Sequence, residues 1–313
     1  MMLGKTAGGL YWMFRYLESS ENTARLMAAG QRIALTRSHA DDEWASVLET
    51  TATLHPYRAR HGEVTRDKAI HWMLCDRDNA SSVLSVIESA RSNARLVRTA
   101  LTREVWESVN ECWMLLRDAL SQPIGERELP QVLNVIRNRS AHVRGAFSGT
   151  MLRNDIYNFA RLGTFIERAD NTARLLDVKY YVLLPSSQAT GSSLDNLQWE
   201  SILRSVSAEG AYRLTYGQDV RARNIAQFLI LDPRMPRSLA FSVGRILDNL
   251  NYLAADYGTR PPSLAQAQAL QAHFLDASIE GIIEAGLHGF IQDFLRGVAE
   301  LGSQTEVDYR FHA

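Results

Sequence analysis

The sequence predicts an all-α protein, a helical bundle built from two homologous halves. Three observations carry that expectation. Strand signals are scarce, with no Asn-Gly hairpin and no sustained alternation of β-branched residues. Apolar residues recur instead at helical spacing over long windows. And one stretch occurs twice, as "YLESSENTARLM" (Tyr16 to Met27) and as "FIERADNTARLL" (Phe165 to Leu176), with six of twelve positions identical.

Taken in order, Leu10, Phe14, Leu17, Ala24 and Ala28 line one side of a first helix. Val83, Val86, Ile87, Ala90 and Ala94 mark another, and Val105, Val109, Trp113 and Leu116 the next. Leu162, Phe165, Ile166, Ala169, Ala173 and Leu176 repeat the first pattern near the middle. Ile282, Ile283, Leu287, Ile291, Phe294 and Leu295 mark the last long helix. The prolines fall mainly between these runs, and "LLPSSQATGSS" (Leu183 to Ser193) reads as an exposed connector. In all, about ten to twelve helices are expected.

Other segments repeat in the same order. "EWASVL" (Glu43 to Leu48) resembles "QWESIL" (Gln198 to Leu203), and Tyr57, Arg58 and Gly62 fall in step with Tyr212, Arg213 and Gly217. Trp72, Asp76 and Ser82 match Phe228, Asp232 and Ser238. Each match lies roughly 150 residues from its partner, so two homologous halves are expected, 1–150 and 151–313. Two units are too few for a solenoid, and burying two apolar faces together in one compact domain around a pseudo-two-fold axis is the expected arrangement.

Composition narrows the function classes. A net charge of −1 leaves no electrostatic footprint for nucleic acid or an anionic membrane. No stretch reaches the roughly 18 apolar residues of a membrane span, and Arg15 and Glu18 interrupt the N-terminal run too early for a signal peptide. Cys75 and Cys112 lack any C-x-x-C spacing and read as buried free thiols of a reducing compartment. A cytoplasmic protein is expected. Only three of the basic residues are lysine (Lys5, Lys68 and Lys179), the rest being arginine; coding bias and a use for planar carboxylate- or phosphate-binding forks both fit.

The repeated helix holds the candidate site. Glu18, Glu21, Asn22 and Arg25 fall within one arc of roughly 100°, as do Glu167, Asp170, Asn171 and Arg174. That arc abuts the apolar one, at the edge of the core. Glu21–Arg25 and Asp170–Arg174 are acid-before-base pairs at i, i+4, and Glu18–Asn22 and Glu167–Asn171 are spaced for side-chain hydrogen bonds. One reading is a clamp in which partly buried charges lock two helices. A second is a polar cleft with carboxylates as general acid or base and arginines as anion clamps. A third is a metal held by Glu18, Glu21, Glu167 and Asp170, although no His accompanies them as in di-iron bundles and Arg25 and Arg174 would repel a cation. Weaker anion candidates are Arg91 with Arg95, and Arg221 with Arg223 near a helix start. No Walker loop, G-x-S-x-G, H-E-x-x-H or zinc spacing occurs.

With these residues assembled, the chain resembles the bacterial Alpha-E family of helical proteins, named for an "ER" motif. The carriers are "LYWMFRYLESSENTARLM", "NASSVLSVIESARSNARLVR", "REVWESVNE", "FARLGTFIERADNTARLLDVKYY" and "FLILDPRMPRSLAFSVGRI". The resemblance implies a neighbourhood of ATP-grasp amide ligases and transglutaminase-like proteins, a part in making or modifying peptides, and no intrinsic cofactor beyond ATP and Mg²⁺ brought by a ligase. By position the ER pair is Glu167-Arg168, with Glu18-Ser19 as its counterpart, and the resemblance assigns no reaction. If the chain is an enzyme, Glu167, Arg168 and Glu18 are the catalytic candidates, and Arg15, Glu21, Asn22, Arg25, Asp170, Asn171 and Arg174 the groups expected to bind a peptide or amino-acid substrate. The chain departs from the family pattern twice, with Ser19 in place of the first motif's Arg and Thr164 where the second copy's Arg would precede its aromatic residue. Each missing Arg is present in the other half, as Arg168 and Arg15. A scaffold that positions a ligase and its peptide without catalysis, and a carboxylate metal enzyme, stand beside the participating-enzyme expectation.

Overall fold

The computed structural model describes residues 2–34, 40–125, 127–183, 193–218 and 220–312. Among them lie fifteen α-helices and no strand. The first seven are α1 (Gly4–Ala34), α2 (Ala40–Thr50), α3 (Leu54–His61), α4 (Arg66–Leu74), α5 (Val83–Leu96), α6 (Arg103–Ala119) and α7 (Leu129–Thr150). Then come α8 (Asp155–Leu183), α9 (Ser193–Ser205), α10 (Glu209–Tyr216), α11 (Ala222–Ile230), α12 (Leu239–Tyr257), α13 (Pro262–Leu275), α14 (Ile279–Ala285) and α15 (Leu287–Asp308). The expected connector from Leu183 to Ser193 lies outside the described residues apart from its two ends.

Fifteen helices exceed the ten to twelve expected because short ones such as α3, α10 and α14 carry too few turns to show a period. The run from Ile282 to Leu295 is not one helix. Gly286 breaks it with a φ of 105°, outside what an L side chain readily adopts, and separates α14 from α15. Ile283 is consequently exposed, and Leu295 is only half-buried.

The two long helices α1 and α8 cross at the centre. α5, α7 and α9 also pack on α1, and α12, α15 and α2 pack on α8. Enclosure on every side explains why α1 lacks a clean apolar stripe: Leu10, Tyr11, Phe14, Leu17, Thr23, Leu26 and Met27 are spread around its circumference and all are buried. α6, at the periphery, buries only Val105, Ser108, Val109, Cys112 and Leu116. Of the residues expected on apolar faces, Ala28 and Trp113 are half-exposed; Trp113 is sandwiched between the guanidiniums of Arg91 and Arg117, 4.1 and 4.4 Å from its ring centroid. Both cysteines are free thiols, as expected, but only Cys112 is buried and Cys75 is half-buried. No described helix is long and apolar enough to cross a membrane.

The crossing is closest at Gly163. A Cβ there would lie 2.0 Å from the carbonyl oxygen of Tyr11 and 3.2 Å from the amide nitrogen of Arg15. Only glycine lets the two backbones meet this closely, and that contact brings the polar residues one turn further along each helix into register. Gly163→Ala must push the helices apart and should cost about 3 kcal/mol or more in chemical denaturation. Gly244→Ala, in α12 with nothing within 4 Å of the added carbon, should be neutral or stabilising by up to about 1 kcal/mol.

Candidate functional site

Beyond the crossing, the two copies of the repeated motif face one another. Arg168 of α8 meets Glu18 of α1 in a two-pronged pair, Nε to Oε1 at 3.0 Å and Nη2 to Oε2 at 2.9 Å. The equivalent position opposite Glu167 holds Ser19, a neutral hydroxyl in place of a guanidinium. Arg15, one turn earlier on α1, supplies the guanidinium, with Nε donating to Glu167 Oε2 at 3.0 Å. Its charge also lies 4.9 Å from the Trp12 ring centroid, and its Nη1 donates to the Tyr11 hydroxyl.

The first copy is interior, not at the edge of the core. Glu18, Glu21 and Asn22 are 2%, 0% and 3% exposed, because α7, α8 and the segment before α12 cover the arc that the sequence places beside solvent. Two arginines that the motif does not contain make this burial tolerable. Arg237 donates to Asn22 Oδ1 at 2.8 Å and to Glu21 Oε1 at 3.1 Å, and lies 3.0 Å from Glu18 Oε1. Arg144 of α7 donates to Glu21 Oε2 and lies 3.7 Å from Glu18. Arg25 closes the group on Glu21, Nε to Oε1 at 2.9 Å. The segment carrying Arg237 is pinned from α8 by Arg168, which donates to the Pro236 carbonyl, and by Thr172, which donates to that of Arg237. Arg144 carries no periodic or motif signal. Arg237 lies in the repeated segment that ends at Ser238, the N-cap of α12, but its counterpart in the first half is Ser81, so the repeat does not single it out.

The second copy does lie at the edge. The side chains of Glu167, Asp170 and Arg174 are 17%, 20% and 38% exposed. Both i, i+4 pairs form as expected, with Arg174 Nε 2.7 Å from Asp170 Oδ2. The expected Glu18–Asn22 bond is replaced, since the Asn22 carbonyl oxygen accepts from Arg237. Asn171 is half-buried beside these groups.

The two glutamates therefore titrate in opposite directions. Burial pushes Glu18 up, but the charges of Arg168, Arg237 and Arg144 outweigh it and hold the carboxyl below the ordinary range. Glu21 is likewise lowered: burial and the neighbouring Glu18 raise it, and Arg237 and Arg144 more than offset them. For Glu167 burial wins. Arg15 lowers it, Asp170 raises it, the hydrogen bonds from Arg15 and Ser19 lower it again, and the net shift is upward. Arg237 itself is pulled down to about 10 by burial, with Glu18 partly opposing.

The four carboxylates of the metal reading are not brought together. Glu18 and Glu21 face guanidiniums, and the described residues contain no group of three or more His, Cys, Asp or Glu able to hold an ion. The weaker anion candidates already have partners: Arg91 donates to Asn110 and stacks on Trp113, and Arg223 pairs with Glu280.

A family model described as Alpha-E, a predicted alpha-helical domain with a conserved ER motif, matches residues 2–309. No curated protein and no solved structure matches the chain.

Breaking the interior pair should be costly. Arg168→Met should lose about 3–5 kcal/mol, with Glu167→Gln within about 1 kcal/mol of wild type. In a double-mutant cycle Glu18→Gln with Arg168→Met should cost less than the sum of the single changes. The pH dependence separates the glutamates further. Glu18, depressed in the folded state, stabilises fully above the ordinary carboxylate pKa and loses that contribution only as pH falls below it. Glu167, raised, does the reverse: its protonation favours the fold as pH drops through its elevated pKa. Carboxyl ¹³C titration should show one glutamate above the ordinary range, absent in Glu167→Gln and lowered in Ser19→Arg.

Proposed function

The chain belongs to the Alpha-E family, and we propose that it takes part in a peptide ligation or modification reaction alongside an ATP-grasp amide ligase. In this reading Glu167 is the proton-transfer group. Arg15 and Arg174 receive a carboxylate of the peptide or amino-acid substrate, with Asp170 and Asn171 beside them. Glu18 and Arg168 hold the helices in place. A ligase would bring ATP and Mg²⁺, and a transglutaminase-like protein is the second expected associate. The observation that supports the reading best is the contrast between the two glutamates. A carboxyl with a raised pKa at a solvent-reached edge suits a general base for an incoming amine, whereas its counterpart is locked in ionic contacts. Trp12, Arg15, Tyr16 and Ser19 share one face of α1 and lead from Glu167 to an open cleft of about 730 Å³, lined by Trp12, Tyr16, Asn93 and Phe311 among others.

We also propose that residues 1–150 and 151–313 are halves of one duplicated unit. Several local features support this. Gly62 and Gly217 end α3 and α10 with φ of 74° and 72°. The hydroxyls of Tyr57 and Tyr212 accept from Thr65 and Arg221. Asp76 and Asp232 each accept from the amide two residues on, and Ser82 and Ser238 cap α5 and α12. In this view the unequal motifs form a single composite site.

A non-catalytic scaffold is the second reading, favoured by the saturation of Glu18 and Arg168 with each other. One experiment separates the two. The purified chain is incubated with an ATP-grasp amide ligase from the same organism, ATP and amino acids, and products are read by mass spectrometry. Participation predicts that Glu167→Gln lowers product formation at least a hundredfold while binding to the ligase and the melting temperature stay near wild type. Unchanged turnover with an intact complex would instead establish the scaffold.

A further inference from the structure

The interior network is unbalanced on one side. Glu18 and Glu21 carry two negative charges, and four guanidiniums touch them: Arg25, Arg144, Arg168 and Arg237. Two positive charges are left over in a place where burial makes uncompensated charge expensive. The excess lies toward solvent, since the side chains of Arg144 and Arg25 are 32% and 15% exposed against 11% and 9% for Arg168 and Arg237.

More arginines continue outward from that opening. Arg137 precedes Arg144 by seven residues on α7, and Arg32 follows Arg25 by seven on α1, so each pair shares a helix face. α1 and α7 run antiparallel in contact, with Phe14 on Phe147 and Ser20 bonded to Ser140. α9 closes the third side, and Ser207, just beyond its end, bonds to Arg25. Arg204 on α9 is neutralised by Glu200 and Glu209, but Arg32 and Arg137 form no ion pair with a described residue. Burial, then the charges of Arg204 and Arg137, keep Arg32 below the ordinary arginine pKa, with Glu209 opposing.

Hydrogen bonding shows the same shortage of acceptors. Asn22 is 3% exposed and its amide nitrogen has no partner among the described residues. The buried Nε of Arg137 has none either. Two orphaned donors and two surplus charges are what a dianion with several acceptor oxygens satisfies.

We propose that the α1–α7–α9 edge, built on Arg25, Arg32, Arg137, Arg144 and Asn22, binds a phosphate or diphosphate group. Arg144 and Arg25 meet the inner oxygens, and Arg137 and Arg32 the outer ones. The assignment deepens the reading above, which gave the repeated motifs an anion-binding part. Its test is separate, because equilibrium binding by this chain alone involves neither ligase nor Glu167.

Inorganic phosphate, pyrophosphate and ATP are titrated by calorimetry and thermal unfolding at constant ionic strength, with sodium chloride as the reference. Saturable binding of at least one of them is expected, with a rise in the unfolding midpoint. Pyrophosphate binding more tightly than ATP identifies a free anion as the ligand, and the reverse a nucleotide-borne one. Arg137→Gln and Arg32→Gln should each weaken binding at least tenfold while leaving the midpoint in chloride unchanged or higher, since each removes an unpaired charge. Arg103→Gln, on α6, should bind as wild type. Midpoints equal to those in chloride, or undiminished affinity in both arginine variants, would overturn the assignment.

Discussion

The pair between Glu18 and Arg168 is the constraint around which the centre of the molecule is arranged. A carboxylate 2% exposed is tolerable only with guanidiniums held against it, and those guanidiniums must come from elements that cannot drift. Arg168 arrives from α8 because Gly163 lets α8 touch α1 one turn earlier. Arg237 arrives on a segment whose own carbonyls are fixed by Arg168 and Thr172. Each of these contacts fixes the element that carries the next, so the network ties α1, α7, α8 and the start of α12 into one cooperative unit.

Such a network is weak evidence for stability, because an apolar core of the same shape often does as well. What it supplies is position. Apolar packing between two helices buried on all sides tolerates sliding and rotation, whereas a two-pronged pair at 2.9 and 3.0 Å allows one register. That register also sets Glu167 beside Arg15, so the interior clamp and the solvent-reached carboxyl are consequences of one geometry.

How much of this the sequence disclosed depended on locality. The all-helical class, the long central helices and the i, i+4 pairs Glu21–Arg25 and Asp170–Arg174 were legible because they arise within a few turns of chain. Residue spacing around one helix places the charged arc at the core edge. For α8 that was right, and for α1 it was not, since burial there depends on α7 and the segment before α12. Arg237 is more than two hundred residues from Glu21 and Asn22, and Arg144 more than a hundred from Glu21. Arg144 lies in no repeated motif, Arg237 lies in a repeated segment whose other copy has Ser81 in its place, and no periodicity connects either to α1. The break at Gly286 was missed for another reason, as the apolar spacing runs through it unbroken.

The two positions at which the repeated motifs differ in arginine, Ser19 against Arg168 and Arg15 against Thr164, become one physical event in this geometry. Arg15 and Ser19 are four residues apart and share a face of α1, so both positions look toward Glu167. A guanidinium at 19 would bond Glu167 from inside, as Arg168 bonds Glu18. At 15 it reaches the carboxylate from the rim, resting on Trp12 at 24% exposure, and Ser19 stands in the interior place. On the other side Thr164 turns its hydroxyl back to the Ala160 carbonyl and contributes nothing to Glu18, which Arg168 and Arg237 already satisfy. The exchange therefore leaves one carboxylate over-supplied with positive charge and the other under-supplied. The opposite titration of Glu18 and Glu167 is the direct result, and a symmetric pair of Glu-Arg motifs could not produce it.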